Sequence, residues 1–329
     1  MTLQKDLATL TDLAVEAKDM AVERTGGEIS GVSVEEKQVE NAEITRIEVL
    51  NQQAAQKIGK PQGSYITIES DSLRTTNRQV HEQLSGVVAE QMNSLINYSR
   101  LATSPTESPV ILVIGLGNWN TTPDALGPRV VHHLLVTRHI YGSADPQAKQ
   151  GLRSVCALAP GVLGLTGIET AEIIKGVVDR VKPDLIIAVD ALAAQESNRL
   201  ASTIQISNTG IYPGSGLGKK RIGITQQDMG VPVIAMGIPT VINSVHIVND
   251  TMKQIQNNQD LPPQSRNVLQ QTNQEELIQQ VLQPFMGDLI VAPKGIDQLI
   301  RDTSRVVSGG INIALHPDIK TENVSMYLQ

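Results

Sequence analysis

The run VILVI at 110–114 leads directly into GLGNWNTTPDALGP at 115–128, and LIIAV at 185–189 leads directly into Asp190. Each apolar run is five residues long, rich in β-branched side chains and free of alternation. That is the pattern of a strand buried on both faces, as in a parallel sheet covered by helices. Between the two runs lie two helical stretches. Gly127–His139 reads as a helix with Pro128 tolerated in its first turn. A second helix is expected to open at Thr166-x-x-Glu169, which has capping-box spacing, and to present Ile168, Ala171, Ile174, Val177, Val178 and Val181 before Lys182-Pro183 ends it. Buried strands separated by helices of this length predict βαβ units, and VPVIAM at 231–236 supplies a further strand. The expected fold is α/β, a mainly parallel sheet with flanking helices.

Outside this region, ITRIEVL (44–50) and SYITI (64–68) alternate as strands, joined by a turn region with Gly59, Pro61 and Gly63. Residues 76–99 read as a helix. Residues 1–27 read as an acidic amphipathic leader with Leu3, Leu7, Leu10, Leu13 and Ala14 at helical spacing. The Gln- and Asn-rich stretch at about 254–283 reads as a solvated insertion.

Composition narrows the function. The chain has 329 residues, 34 Asp and Glu against 27 Lys and Arg, a net charge of -7 and 2% aromatics. Such a balance disfavours direct nucleic-acid binding, which needs a basic face and rings to stack on bases. The first twenty residues carry Asp6, Asp12 and Asp19 and lack the apolar core of a secretory signal, and no apolar stretch approaches the roughly 20 residues of a spanning helix. An intracellular protein without membrane attachment is expected. A single cysteine, Cys156, excludes an internal disulfide and a multi-cysteine zinc site.

Two aspartates fall at the carboxyl ends of the buried strands, where open α/β sheets place ligands. Asp190 follows LIIAV and Asp124 lies in the loop after VILVI. A carboxyl at the end of an apolar run either finds partners or has its pKa raised by desolvation. Two sharing a site hold one proton between them, the state that activates water and protonates a leaving amine. Helix capping is the structural alternative for each. The Gly115-x-Gly117 loop fails the dinucleotide fingerprint at Asn120. Gly214–Arg221 lacks P-loop spacing, although Lys219, Lys220 and Arg221 form a basic cluster. Neither H-E-x-x-H nor G-x-S-x-G occurs, and neither a metal nor a cofactor is expected.

Several segments together resemble the germination proteases of endospore-forming bacteria: TDLAVEA (11–17), GLGNWNTTPDALGP (115–128), PGVLGLTGIET (160–170), PDLIIAVDALAA (183–194), GIPTV (237–241) and GGINIALHP (309–317). The resemblance implies an atypical aspartic endopeptidase with a fold like the hydrogenase-maturation peptidases. It implies a homotetramer, made as an autoprocessed zymogen in the cytoplasm of the forespore and active in the spore core. Its substrates would be small acid-soluble spore proteins. On this resemblance the essential aspartates match Asp124 and Asp190. Residues 1–12 would be the propeptide, cut between Asp12 and Leu13 at a stretch expected to be exposed, and 13–329 a single peptidase domain. The basic cluster at 219–221 is a candidate partner for the acidic residue before the cut. The family pattern after GIPTV is Val-Asp-Ala, whereas this chain has Ile242-Asn243-Ser244; His246 is a weak candidate for a metal-binding histidine. The competing readings are a metal-assisted amidase using the same carboxylates and a non-catalytic peptide-binding protein.

Overall fold

A computed structural model describes residues 11–101, 108–142, 147–212, 223–257 and 289–328. The chain runs α1 (Ala14–Thr25), β1 (Val32–Val39), β2 (Ala42–Val49), α2 (Gln52–Ile58), β3 (Gly63–Glu69), α3 (Arg78–Leu95), β4 (Val110–Gly115) and α4 (Leu126–His133). It continues with β5 (Ser154–Leu158), α5 (Thr170–Val181), β6 (Leu185–Ala194), β7 (Thr203–Ser207), β8 (Val233–Asn243), α6 (Ser244–Asn257), β9 (Ile290–Val291) and α7 (Ile296–Leu315). Strand order is β1-β2-β3-β7-β8-β6-β4-β5, with β9 beside β8. Strands β8, β6, β4 and β5 are mutually parallel, and β1, β2, β3 and β7 add an antiparallel half. The α/β class and the strands at 110–114 and 185–189 are as the sequence predicts.

Both sheet faces are covered, which explains the unbroken apolar runs. Leu185, Ile187 and Val189 of β6 join Ile111 and Val113 of β4 in a core beneath α3, α4 and α7. Ile186 and Ala188, with Leu112 and Ile114, face Ala171, Ile174 and Val178 of α5. Leu192 faces Leu13, Ala14 and Ala17 at the start of α1.

Five local expectations need correction. The stretch joining β2 and β3 contains α2, begun by the Asn51 side chain accepting from the Ala54 amide at 2.9 Å. The helix expected over 127–139 stops at His133, because the chain turns extended at Leu134 and a separate short helix covers Arg138–Tyr141. Thr166 does not cap α5. It closes the short Leu163–Thr166 helix, its hydroxyl bonding locally to Val162 and Ile168, and α5 starts after Glu169. Asp190 lies inside β6, not at its end. Leu13 is fully buried, so the Asp12–Leu13 stretch is not exposed. Most of the Gln/Asn-rich insertion and all of Lys219, Lys220 and Arg221 lie outside the described residues.

Backbone proximity sets the centre of the sheet. Gly127, at the start of α4, lies against β4 and β6 so closely that a Cβ there would come within 2.5 Å of Leu116 N and 2.6 Å of Val189 O. Main-chain atoms cannot yield as a flexible side chain can. Gly127→Ala should therefore destabilise the protein by about 2–4 kcal/mol, whereas Gly176→Ala, in α5 with open space around it, should stabilise it by about 0.5–1 kcal/mol. Urea unfolding of both variants checks the pair; a Gly127→Ala protein as stable as wild type would contradict the packing described.

Candidate active site

β4 ends at Gly115, opposite Val189 of β6, and β6 continues for five more residues. Asp190 is thus the first residue of β6 beyond the edge of β4. It is 6% exposed, pairs in register with Gly237 of β8, and its Oδ1 accepts from the Ala191 amide at 2.9 Å.

The loop leaving β4 folds back on itself and delivers Asp124 to the same strand ends. The Leu116 amide donates to Val189 O at 2.8 Å, Asn118 N to Asp124 O at 3.0 Å, and Asp124 N to Thr121 O at 2.8 Å. The Asn118 side chain braces the turn, accepting from Asn120 N at 3.0 Å and donating to Thr121 Oγ1 at 3.1 Å. Gly117 has φ +111°, and a Cβ built there would stand 3.1 Å from Asp124 Oδ1, so a bare backbone faces that carboxylate. The Thr122–Asp124 turn packs against β6 and β8, and Thr122 Oγ1 donates to Asp297 Oδ1 at 3.1 Å, tying the turn to the first turn of α7. The structure therefore brings Asp124 and Asp190 to one end of the parallel strands, Asp124 half-buried and Asp190 buried. The amides of Leu116, Asn118 and Asn120 are committed to Val189 O, Asp124 O and Asn118 Oδ1.

Asp12 and Leu13 lie along the same strand. Asp12 N donates to Ala193 O at 3.3 Å, and Ala193 N returns a bond to Asp12 Oδ2 at 3.0 Å. The Lys60 ammonium donates to Thr11 O at 3.1 Å and Asp12 O at 2.9 Å, while Gln205 bonds Asp12 O at 2.9 Å and Ala14 N at 2.5 Å. Beside this clamp, the buried Glu16 carboxylate accepts from the Thr11 hydroxyl and the Gln195 and Glu196 amides, and Arg199 lies 3.7 Å away. Arg199 also pairs with Glu69 and Glu196. Burial raises the Glu16 carboxyl above its ordinary range, against the Thr11 hydroxyl, the two amides and Arg199. Burial likewise pulls Lys60 below its ordinary range, against the attraction of Asp12 and Glu16. Lys60, Gln205, Glu16 and Arg199 went unnoticed in the sequence because they are brought together only by tertiary folding.

The remaining sequence candidates lie at Asn243, His246 and Cys156. Asn243 Oδ1 accepts from Val245 N at 2.9 Å and so supports the first turn of α6. His246 is buried, and burial lowers its pKa to about 4 despite Asp250, so it is neutral at physiological pH. Cys156 donates to Ile111 O at 3.6 Å, and burial pushes its thiol up, which suppresses thiolate reactivity. Among the described residues no three His, Cys, Asp or Glu side chains converge as a metal site, and no helix is long and apolar enough to cross a membrane.

Comparison with known proteins matches the chain to the germination protease family over residues 12–261 and 264–328. The chain belongs to the germination protease family. Germination proteases of Caldanaerobacter subterraneus subsp. tengcongensis and Clostridium acetobutylicum are 47% and 43% identical to it, over 98% and 97% of this chain and 98% of each relative. The Priestia megaterium germination protease is 39% identical over 96% of both chains. A solved [NiFe] hydrogenase maturation protease, HycI from Thermococcus kodakarensis, aligns over 41% of this chain and 76% of its own at 19% identity with a TM-score of 0.27, too low to bear on the fold. Family membership makes the protein a peptidase.

The clamp on residues 11–14 is testable apart from any activity. Lys60→Met keeps the bulk of the stem but removes the only ammonium bonded to the Thr11 and Asp12 carbonyls among the described residues. Losing charge-assisted hydrogen bonds should speed hydrogen exchange of the Leu13 and Ala14 amides by about 10-fold or more. Unchanged exchange would show that Gln205 and Ala193 hold the segment without Lys60.

Proposed function

We propose that the protein is an aspartic-type endopeptidase in which Asp124 and Asp190 share one proton and activate water for peptide-bond hydrolysis. The observation that carries this reading is the placement of Asp190, buried at the first β6 position beyond β4, against the strands on which the Asp124 turn packs. One carboxylate takes a proton from the attacking water. The other, protonated, polarises the scissile carbonyl and then passes its proton to the leaving nitrogen. The Asn118 and Thr121 backbone bonds hold the Asp124 main chain in place, which limits the freedom that the loop would lose on binding.

Following its family, the enzyme would begin the degradation of small acid-soluble spore proteins during germination, act as a homotetramer and reside in the forespore and spore core. Asp124→Asn and Asp190→Asn keep side-chain shape but remove the titrating proton. Each should lower peptide cleavage by about three orders of magnitude or more while leaving circular dichroism and assembly unchanged. Activity should persist after exhaustive chelation. Cleavage by either variant within a few-fold of wild type would dismiss the dyad; loss on chelation with recovery only on added zinc or nickel would make the reaction metal-assisted.

The same reading includes self-processing between Asp12 and Leu13. Asp12-Leu13-Ala14 presents an acidic residue, a large apolar residue and Ala, the order that the family is expected to cut. Because Leu13 is fully buried and the Asp12 carbonyl is held by Lys60 and Gln205, the clamp must open before the bond is cut. Incubating the full chain at mildly acidic pH and sequencing the new N-terminus should give Leu-Ala-Val-Glu-Ala, faster in Lys60→Met and absent in Asp124→Asn or Asp190→Asn. A different terminus would move the site, and processing in both inactive variants would assign the cut to another protease.

A further inference from the structure

The row of side chains that leaves the Asp124 turn along α7 changes sign. Asp297 accepts from Thr122 Oγ1 of that turn at 3.1 Å. Arg301 and Arg305 follow at intervals of four residues, so the three lie one above another on one face of the helix. All three are exposed. Eight residues of helix rise about 12 Å. A helical side chain leaves its backbone tilted toward the N-terminal end, here toward the Asp124 turn. Two guanidinium groups thus stand within a short peptide's length of the candidate carboxylates.

The same two arginines line a groove of about 260 Å³ between α7, the start of α3 and the short helix Thr321–Met326. Arg78, the first residue of α3, adds a third guanidinium, and Val306 and Val324 give the groove an apolar lining. Two carboxylates are also present, and each is held by its own helix. Glu82 accepts from Arg78 Nε at 3.2 Å, and Asp302 accepts from Gln298 Nε2 at 2.8 Å. Arg301 and Arg305 make no ion pair within 4 Å among the described residues. α3 has no acidic residue in its first turn, so the positive end of an 18-residue helix adds to the same wall. The chain as a whole has a net charge of -7. Against that background three arginines border one concave, partly apolar surface, an arrangement that focuses a positive potential.

That potential selects the partner. Nucleic acid is the poorer occupant, because only 2% of the chain is aromatic and a single groove offers no track along a phosphate backbone. A protein substrate carries anions in its own acidic stretches, and the row on α7 joins the groove to the turn that presents Asp124. We propose that the groove between α3 and α7 is an exosite for an acidic stretch of the protein substrate, with Arg78, Arg301 and Arg305 as its contact residues. The inference rests on the peptidase reading above and adds a second point of hold, remote from the cleaved bond. Holding a substrate there raises the local concentration of its scissile segment. The exosite therefore lowers KM and leaves the chemical step as it is.

The probes are peptides that carry TDLAVEA, the sequence of residues 11–17, joined to a run of Glu or a run of Gln. A flexible Gly-Ser linker of about six residues, which covers roughly 13 Å, connects the two parts. The run precedes the cut in one pair of peptides and follows it in the other. With the full-length protein in about 50 mM NaCl, the Glu run in at least one placement should lower KM about 10-fold or more relative to Gln, at similar kcat. In about 500 mM NaCl the two should agree within about 2-fold. The double variant Arg301→Gln/Arg305→Gln should bring the low-salt KM values of the pair together, whereas Arg301→Lys/Arg305→Lys should keep most of the difference. A fluorescein-labelled run of Glu alone reads binding without cleavage: its anisotropy should rise saturably with the wild-type chain and not with the double Gln variant. Equal KM for Glu and Gln in both placements, or a Glu preference kept by the double Gln variant, would overturn the exosite. An oligonucleotide of matched charge that binds more tightly than the Glu run and displaces it would overturn the choice of partner. If no peptide is cut while the arginine-dependent anisotropy persists, the peptidase reading fails and the groove stands as a site for acidic peptide.

Discussion

The structure depends on a mismatch in strand length at the centre of the sheet. β6 extends five residues past the end of β4, and the uncovered backbone must find other partners, since buried amides and carbonyls left unpaired are costly. The loop after β4 meets that need. Leu116 N takes the Val189 carbonyl, and the backbone of Gly127 presses against both. Only after this seam is closed can the intervening residues fold into the tight turn that ends in Asp124. The position of one candidate catalytic carboxylate is thus a by-product of satisfying the backbone beside the other.

A second constraint operates at the N-terminal segment, and it is electrostatic. Glu16 and Lys60 are both buried, and burial moves their pKa values in the directions that favour neutrality. A carboxyl with a raised folded-state value lends stability below its ordinary pKa and loses it as pH rises through the raised one. A lysine with a lowered value lends stability above its ordinary pKa and loses it as pH falls through the lowered one. Wherever either group carries its charge, it does so at a desolvation cost. The Arg199 guanidinium and the Gln195 and Glu196 amides offset that cost at Glu16; the Thr11 and Asp12 carbonyls do so at Lys60. Removing one partner from such a network leaves an uncompensated charge, so its geometry is sharply specified even if its net contribution to stability is small.

Much of this was legible in the sequence where the signal was local. VILVI and LIIAV announce β4 and β6 because both sheet faces are covered there, and Asp124 and Asp190 follow from where those runs end. Strand β1 was missed for the opposite reason: VSVEEKQV lies at the sheet edge with six of its eight residues exposed, so its charges satisfy solvent instead of an apolar pattern. Leu13 was misjudged although its burial was foreshadowed. Its spacing with Ala14 and Ala17 belongs to the apolar stripe that packs on Ile47, Tyr65 and Leu192, and proximity to a terminus does not outweigh such a stripe. The Glu16–Arg199 and Lys60–Asp12 contacts span dozens to nearly two hundred residues of chain, and no local pattern encodes them.

The two constraints meet on β6. Asp190 and Ala193 lie three residues apart, about 10 Å along an extended strand, and the register with β8 slips between Leu192 and Ala193. A bulge bends its strand and frees one residue from strict pairing, which is why bulges recur beside active sites. Here the extra residue is Thr240 of β8, and the slip falls between the step at which Asp190 pairs with Gly237 and the step at which the Ala193 backbone pairs with Asp12. Leu192 lies between them. Its side chain covers Gly237 on one side and joins the Leu13 cluster on the other. One packed leucine thus touches both the strand step at which Asp190 pairs with Gly237 and the cluster that Leu13 forms at the start of α1.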